Sequence, residues 1–265
     1  MSHFWLDKLD RNEILLIDGA TGTELQKRGV PMDEIAWSGA AVLSHPDVVR
    51  ETHADYIRAG AEVVIANTFG STRQMLEPAG YGDQVETVNR QAVQLAIEAR
   101  EMAADHPVAV AGSISSMPPG FDRNAYDSAD KELESYREAA RTLVDAGADL
   151  IALEMLEDTE HAPLALQAAL ETGVPVWLGM SCKQRESDDV LVGFGYQDVL
   201  LADVYRELIP RGPAVVNLMH TDVFAVPAAL ALLRDHWQGP VGVYPESGYF
   251  TRPNWNFVDV IEPGE

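Results

Sequence analysis

Apolar residues along this chain fall in short runs separated by longer amphipathic stretches, the pattern of strands alternating with helices. Ile14-Leu15-Leu16-Ile17 is a continuous aliphatic run and reads as a strand buried on both faces. It leads into Asp18-Gly19-Ala20-Thr21-Gly22-Thr23-Glu24-Leu25, a tight strand-to-helix turn in which Gly19 and Gly22 allow close backbone approach or positive φ. Further strands are predicted at Ala61 to Ala66, Pro107 to Ala111, Asp149 to Leu153, Val174 to Met180, Ala214 to Met219 and Val241 to Tyr244. A helix is predicted over His45 to Ala59, with Pro46 at its first position. Another carries Val85, Val88, Ala92, Leu95, Ala96 and Ala99 on one face, with Asp83 and Glu86 spaced as a capping box. The remaining helices are predicted at Leu133 to Ala146, Thr159 to Thr172, Asp198 to Leu208 and Pro227 to Trp237.

Ala59-Gly60-Ala61-Glu62-Val63-Val64-Ile65-Ala66-Asn67 is nearly repeated by Ala146-Gly147-Ala148-Asp149-Leu150-Ile151-Ala152-Leu153-Glu154, which puts Asn67 and Glu154 at equivalent strand ends. Regular βα repetition over 265 residues, with no linker-like stretch, favours a single (β/α)8 TIM-type barrel domain over residues 1–265. Seven strands are found, and Asn254 to Glu265 is too short for a helix plus a strand. The eighth βα unit is therefore expected to be missing from this sequence, and the natural chain to run on.

Composition narrows the partners. The formal charge of -23, with only four lysines, excludes nucleic acid and anionic membrane as targets, because phosphate binding needs clustered Lys and Arg. No apolar run reaches the length of a membrane span, and Met1 to Asp7 lacks the basic-then-apolar pattern of a secretory signal. The single cysteine, Cys182, excludes an internal disulfide framework, so a cytoplasmic setting is expected.

On a barrel the strand ends supply one polar rim: Asp18, Asn67, Ser113, Glu154, His220, and Glu246 with Ser247. Asp18 and Glu154 are candidates to bind a ligand ammonium, and the Gly112-Ser113 and Gly19-Ala20 amides to bind a carboxylate. His220 reads either as a hydrogen-bonding rim group or as a metal ligand. His45 and His53 read as helix-surface or capping groups, and Cys182 as a small core residue. The loop from Ser115 to Asp127 is either a cover for the site or a surface connection. There is no dinucleotide-binding Gly pattern, phosphate-binding Gly-Lys loop or Gly-x-Ser-x-Gly elbow.

These motifs resemble the homocysteine S-methyltransferase family. The matching stretches are Asp18 to Leu25, Trp37-Ser38 with His53 and Tyr56, Ala66-Asn67-Thr68-Phe69, Gly112-Ser113, Leu153-Glu154 and Tyr244-Pro245-Glu246-Ser247-Gly248, in that order over nearly the whole chain. The resemblance implies transfer of a methyl group from a small donor, such as S-methylmethionine or S-adenosylmethionine, to homocysteine, giving methionine. It implies substrate contacts at Asp18, Gly19, Asn67, Ser113, Glu154 and Ser247, with Glu154 on the homocysteine ammonium. It also implies zinc held by three thiolates: one from an Asn-Cys pair ending the sixth strand, two from a Gly-Gly-Cys-Cys-Gly segment. This chain lacks that last segment, and His220 stands in for the first thiolate in one register, Leu218 in another. The other reading is a non-catalytic amino-acid-binding barrel that has lost its metal.

Overall fold

A computed structural model of the chain describes residues 4–118, 122–246, 248–251 and 256–260. In chain order the elements are α1 (Phe4–Asp10), α2 (Thr21–Lys27), α3 (Ala41–Ser44), α4 (Pro46–Arg58), β1 (Val63–Ile65), α5 (Arg73–Leu76), α6 (Val85–Ala103) and β2 (Ala109–Ser115). There follow α7 (Ala129–Asp145), β3 (Leu150–Leu156), α8 (Ala162–Leu170), β4 (Val176–Met180), β5 (Cys182–Gln184), β6 (Leu191–Gly193), α9 (Leu201–Leu208) and β7 (Val215–Asp222). The last are α10 (Val226–Arg234), β8 (Val241–Glu246), β9 (Gly248–Thr251) and β10 (Asn256–Val260).

The fold is α/β, with six strands hydrogen-bonded in the order β1-β2-β3-β4-β7-β8. The β1–β2, β4–β7 and β7–β8 pairs are parallel. Parallel neighbours need a crossover, and helices of the predicted pattern supply it. Two compact units are present: Met1–Leu153 with Leu164–Val176, and Glu154–Pro163 with Trp177–Glu265.

In the first unit all seven residues of β2 are buried, as a strand covered on both faces requires. Helix α7 lays Tyr136, Ala139, Ala140 and Leu143 inward, at the spacing of one helical face. Helix α6 does the same with Val85, Val88, Ala92, Leu95, Ala96 and Ala99. In the second unit, β4 aligns Trp177 to Met180 with Val215 to Leu218 of β7. Antiparallel β5–β6 and β9–β10 hairpins were not predicted; their strands are too short to carry a hydrophobic period. No helix among the described residues is long and apolar enough to cross a membrane.

Three sequence expectations are corrected. Ile14 to Ile17 is not a strand buried on both faces: it forms a single bridge, Ile17 to Val63, and leaves Ile14 81% and Leu16 53% exposed. The Leu16 carbonyl accepts from the Glu62 and Val63 N–H groups and Asp18 N–H donates to Val63, so this stretch lies along β1 with its alternate side chains turned outward. Asp83 and Glu86 form no capping box, because Gly82–Gln84 is a 3-10 turn and Gln84 is the helix N-cap. His53 is not a surface group: it is fully buried in α4, with neither ring nitrogen hydrogen-bonded, and burial lowers its pKa to about 4.

A paired stability measurement separates core from edge. Leu143→Ala, at a fully buried side chain, is expected to cost about 2–5 kcal/mol in urea unfolding, whereas Ile14→Ser changes stability by no more than about 0.5 kcal/mol.

Candidate functional site

Two polar clusters lie at the carboxyl ends of strands, one in each unit. The first is built around the turn that follows Ile17. Asp18 is buried, its Oδ2 accepts the Ile65 N–H at 2.8 Å, and its own N–H donates to Val63. The carboxylate therefore ties the turn to the end of β1. Gly19 and Gly22 have negative φ; each is required by an aromatic ring. A Cβ on Gly19 would sit 2.8 Å from Tyr56 Oη, and one on Gly22 only 2.5 Å from the Trp37 ring. Trp37 itself holds the left-handed conformation at φ 50°.

Asn67 lies two residues past β1, and its amide is directed at Ser38. Asn67 Nδ2 donates to the Ser38 carbonyl at 2.7 Å, and Ser38 Oγ donates back to Asn67 Oδ1 at 2.8 Å. Ser113 is buried in β2, where Thr68 Oγ1 accepts the Ser113 N–H at 2.9 Å and donates to its carbonyl at 2.8 Å. Asp18, Asn67 and Thr68 thus tie the first turn, the Trp37-Ser38 loop and β2 to the end of β1 and the residues just beyond it, with half-buried Gly19 beside Asp18.

The second cluster centres on His220. Its Nε2 donates to Glu154 Oε2 at 2.9 Å, and Nδ1 lies 3.3 Å from Glu246 Oε1. The Tyr244 ring packs beside the imidazole, centroid to centroid 5.8 Å. Glu154 is only 5% exposed and sits inside β3, one residue before Met155 at φ 57°. His220 has φ 46° and falls within the register shift between Met219 and Asp222 that marks a bulge in β7. Bulges re-aim side chains, and a left-handed non-glycine residue costs on the order of 1–3 kcal/mol, so surrounding contacts must hold it. Sequence analysis extended this strand only to Met219; the bulge carries it through Asp222 and turns His220 toward both acids.

Burial on its own acts to lower the His220 pKa, but hydrogen bonds to Glu154 and Glu246 and their charges override it and push the value up to about 9. The imidazole is therefore a cation at neutral pH, clamped between two carboxylates. Sequence reading also missed Glu157, which is buried and whose Oε2 accepts the Gly195 N–H at 2.5 Å; burial pushes its pKa up to about 8. No local pattern distinguishes Glu157 from the other acids nearby.

Ser247 lies outside the described residues. The thiolate metal site that the resemblance implied is not matched by the donors described. Both His220 nitrogens face carboxylates, and matching the family's Asn-Cys pair by its asparagine puts fully buried, apolar Leu218 after Asn217. Cys182 is fully buried, and burial pushes its thiol up to about 12, far from a thiolate. Among the described residues no group of three or more His, Cys, Asp or Glu is arranged to hold a metal ion.

The charge on His220 sets a pH dependence. Its folded pKa lies above the ordinary 6.5, so the stability it contributes is fully present below that value and lost as pH rises through about 9. An NMR titration should give His220 a midpoint near 9, and Glu154→Gln should bring it down; a wild-type midpoint at or below 6.5 contradicts the clamp.

Comparisons with known proteins place the chain in a family. The family model for homocysteine S-methyltransferase matches residues 15–260. A homocysteine S-methyltransferase of Escherichia coli is 32% identical over 256 residues, 91% of this chain and 80% of that protein. Homocysteine S-methyltransferase 3 of Zea mays is 28% identical over 255 residues, 88% of this chain and 74% of that protein. The solved metallated form of the Escherichia coli homocysteine methyltransferase MmuM superposes with a TM-score of 0.75 at 27% identity, over 93% of this chain and 87% of that one. This chain belongs to the homocysteine S-methyltransferase family.

Proposed function

We propose that this protein transfers a methyl group from a small sulfonium donor, S-methylmethionine or S-adenosylmethionine, to the sulfur of homocysteine, giving methionine. The observation that carries the reading is Glu154: a buried carboxylate at a strand end, held in place by a cationic histidine, in a chain of this family. A buried carboxylate suits an ammonium group, because a charge-assisted hydrogen bond away from water is worth about 1.5–3 kcal/mol. A (β/α)8 barrel is proposed with it, on the strand order and the likeness to MmuM. A cytoplasmic setting is proposed on the single, buried thiol.

In the reaction the homocysteine sulfur attacks as a thiolate, its proton having passed to water. A new S–CH3 bond forms on homocysteine while the donor's S–CH3 bond breaks, and that electron pair returns to the donor sulfur, converting sulfonium to thioether. The chain's own contribution is to bind and orient homocysteine through its ammonium, which lowers the entropic cost of bringing two substrates together. The described donors do not fit a thiolate-bound zinc, and no step proposed here runs through a metal.

The test is methionine formation from homocysteine with each donor in turn. Glu154→Gln is expected to lower kcat/KM by roughly 10- to 150-fold, the loss of one charge-assisted contact. Absence of methionine with both donors, together with no homocysteine binding by calorimetry, overturns the proposal.

A further inference from the structure

We propose that His220 is a positioning residue for Glu154: as a fixed cation between Glu154 and Glu246 it orients the carboxylate that receives the homocysteine ammonium. The inference rests on the ammonium role given above to Glu154. Its ground is geometric. One ring nitrogen faces each acid, at 2.9 Å and 3.3 Å, so neither acid rotates without breaking a bond to the same ring. The backbone is shaped for this contact at both ends, with Met155 beside Glu154 at φ 57° and His220 at φ 46° inside the β7 bulge. Tyr244, two residues before Glu246, packs beside the imidazole.

Charge balance points the same way. Glu154 and Glu246 have side chains only 6% and 13% exposed, and two carboxylates so shielded from water at one ring call for a cation beside them. His220 supplies it through its hydrogen bond to Glu154 Oε2. Loss of the imidazole removes the hydrogen bond and the positive charge that both acids share, so the ammonium meets a carboxylate less well aimed and less well balanced. The class of ligand favoured by the clamp is therefore an α-amino acid whose cationic end meets Glu154.

The test uses His220→Asn, because asparagine tolerates the left-handed backbone but cannot carry the charge. Calorimetric binding of homocysteine to the intact protein should weaken by about 10-fold or more, and the kinetic loss should fall on KM more than on kcat. The des-amino analogue, 4-mercaptobutyrate, should bind wild type and His220→Asn alike, because it presents no ammonium. In a cycle with Glu154→Gln the two substitutions should be strongly non-additive. Unchanged or tighter homocysteine binding by His220→Asn overturns the inference, as does an equal loss for the des-amino analogue. If Glu154→Gln itself leaves homocysteine binding intact, the ammonium role of Glu154 fails first. A thermal melt of His220→Asn identifies simple unfolding; in that case His220→Gln and Glu246→Gln carry the same comparison of ligands.

Discussion

Parallel pairing is the constraint from which the rest of this structure follows. Two parallel strands cannot be joined by a tight turn, so each pair needs a crossover, and helices provide it here. β2 is closed to water along its whole length, and it still holds Ser113 and Ser115 in its second half. The polar groups gather toward the carboxyl halves of the strands and in the turns beyond them. Asp18, Asn67 and Ser113 in one unit, and Glu154, His220 and Glu246 in the other, occupy those places.

The two clusters use their polar groups differently. In the first unit the side chains hold the backbone: Asp18 binds Ile65, Asn67 binds Ser38 and Thr68 brackets Ser113. Glycine at 19 and 22 admits Tyr56 and Trp37 so closely that any side chain there would collide with a ring. In the second unit the contacts run between charged side chains, and the backbone is bent to make them. A bulge in β7 and a left-handed residue in β3 place opposite charges within hydrogen-bond distance. Such an arrangement is costly unless the charges are compensated, and one cationic histidine offsets one of the two negative charges while bonding to both acids.

The likeness to metallated MmuM contrasts with the donor set described here. Leu218 is packed in the sheet, Cys182 is sealed as a high-pKa thiol, and His220 is engaged by carboxylates. Among the described residues, thiol activation by a metal finds no ligand set.

The sequence by itself determined the βα alternation, the identity of most strands and helices, and the set of strand-end residues. These follow from local hydrophobic period and from the order of short motifs, which neighbouring chain segments do not alter. Glu154 and His220 were both legible as candidates because each directly follows an apolar run. What those residues do was decided only by tertiary structure. The exposure of Ile14 and Leu16 depends on which strand lies alongside, and the burial of His53 on what packs over its helix. The contact of His220 with Glu154 joins residues 66 positions apart through a bulge and two left-handed residues. No local pattern encodes such a contact, because its energy comes from charges that meet only after the strands have paired.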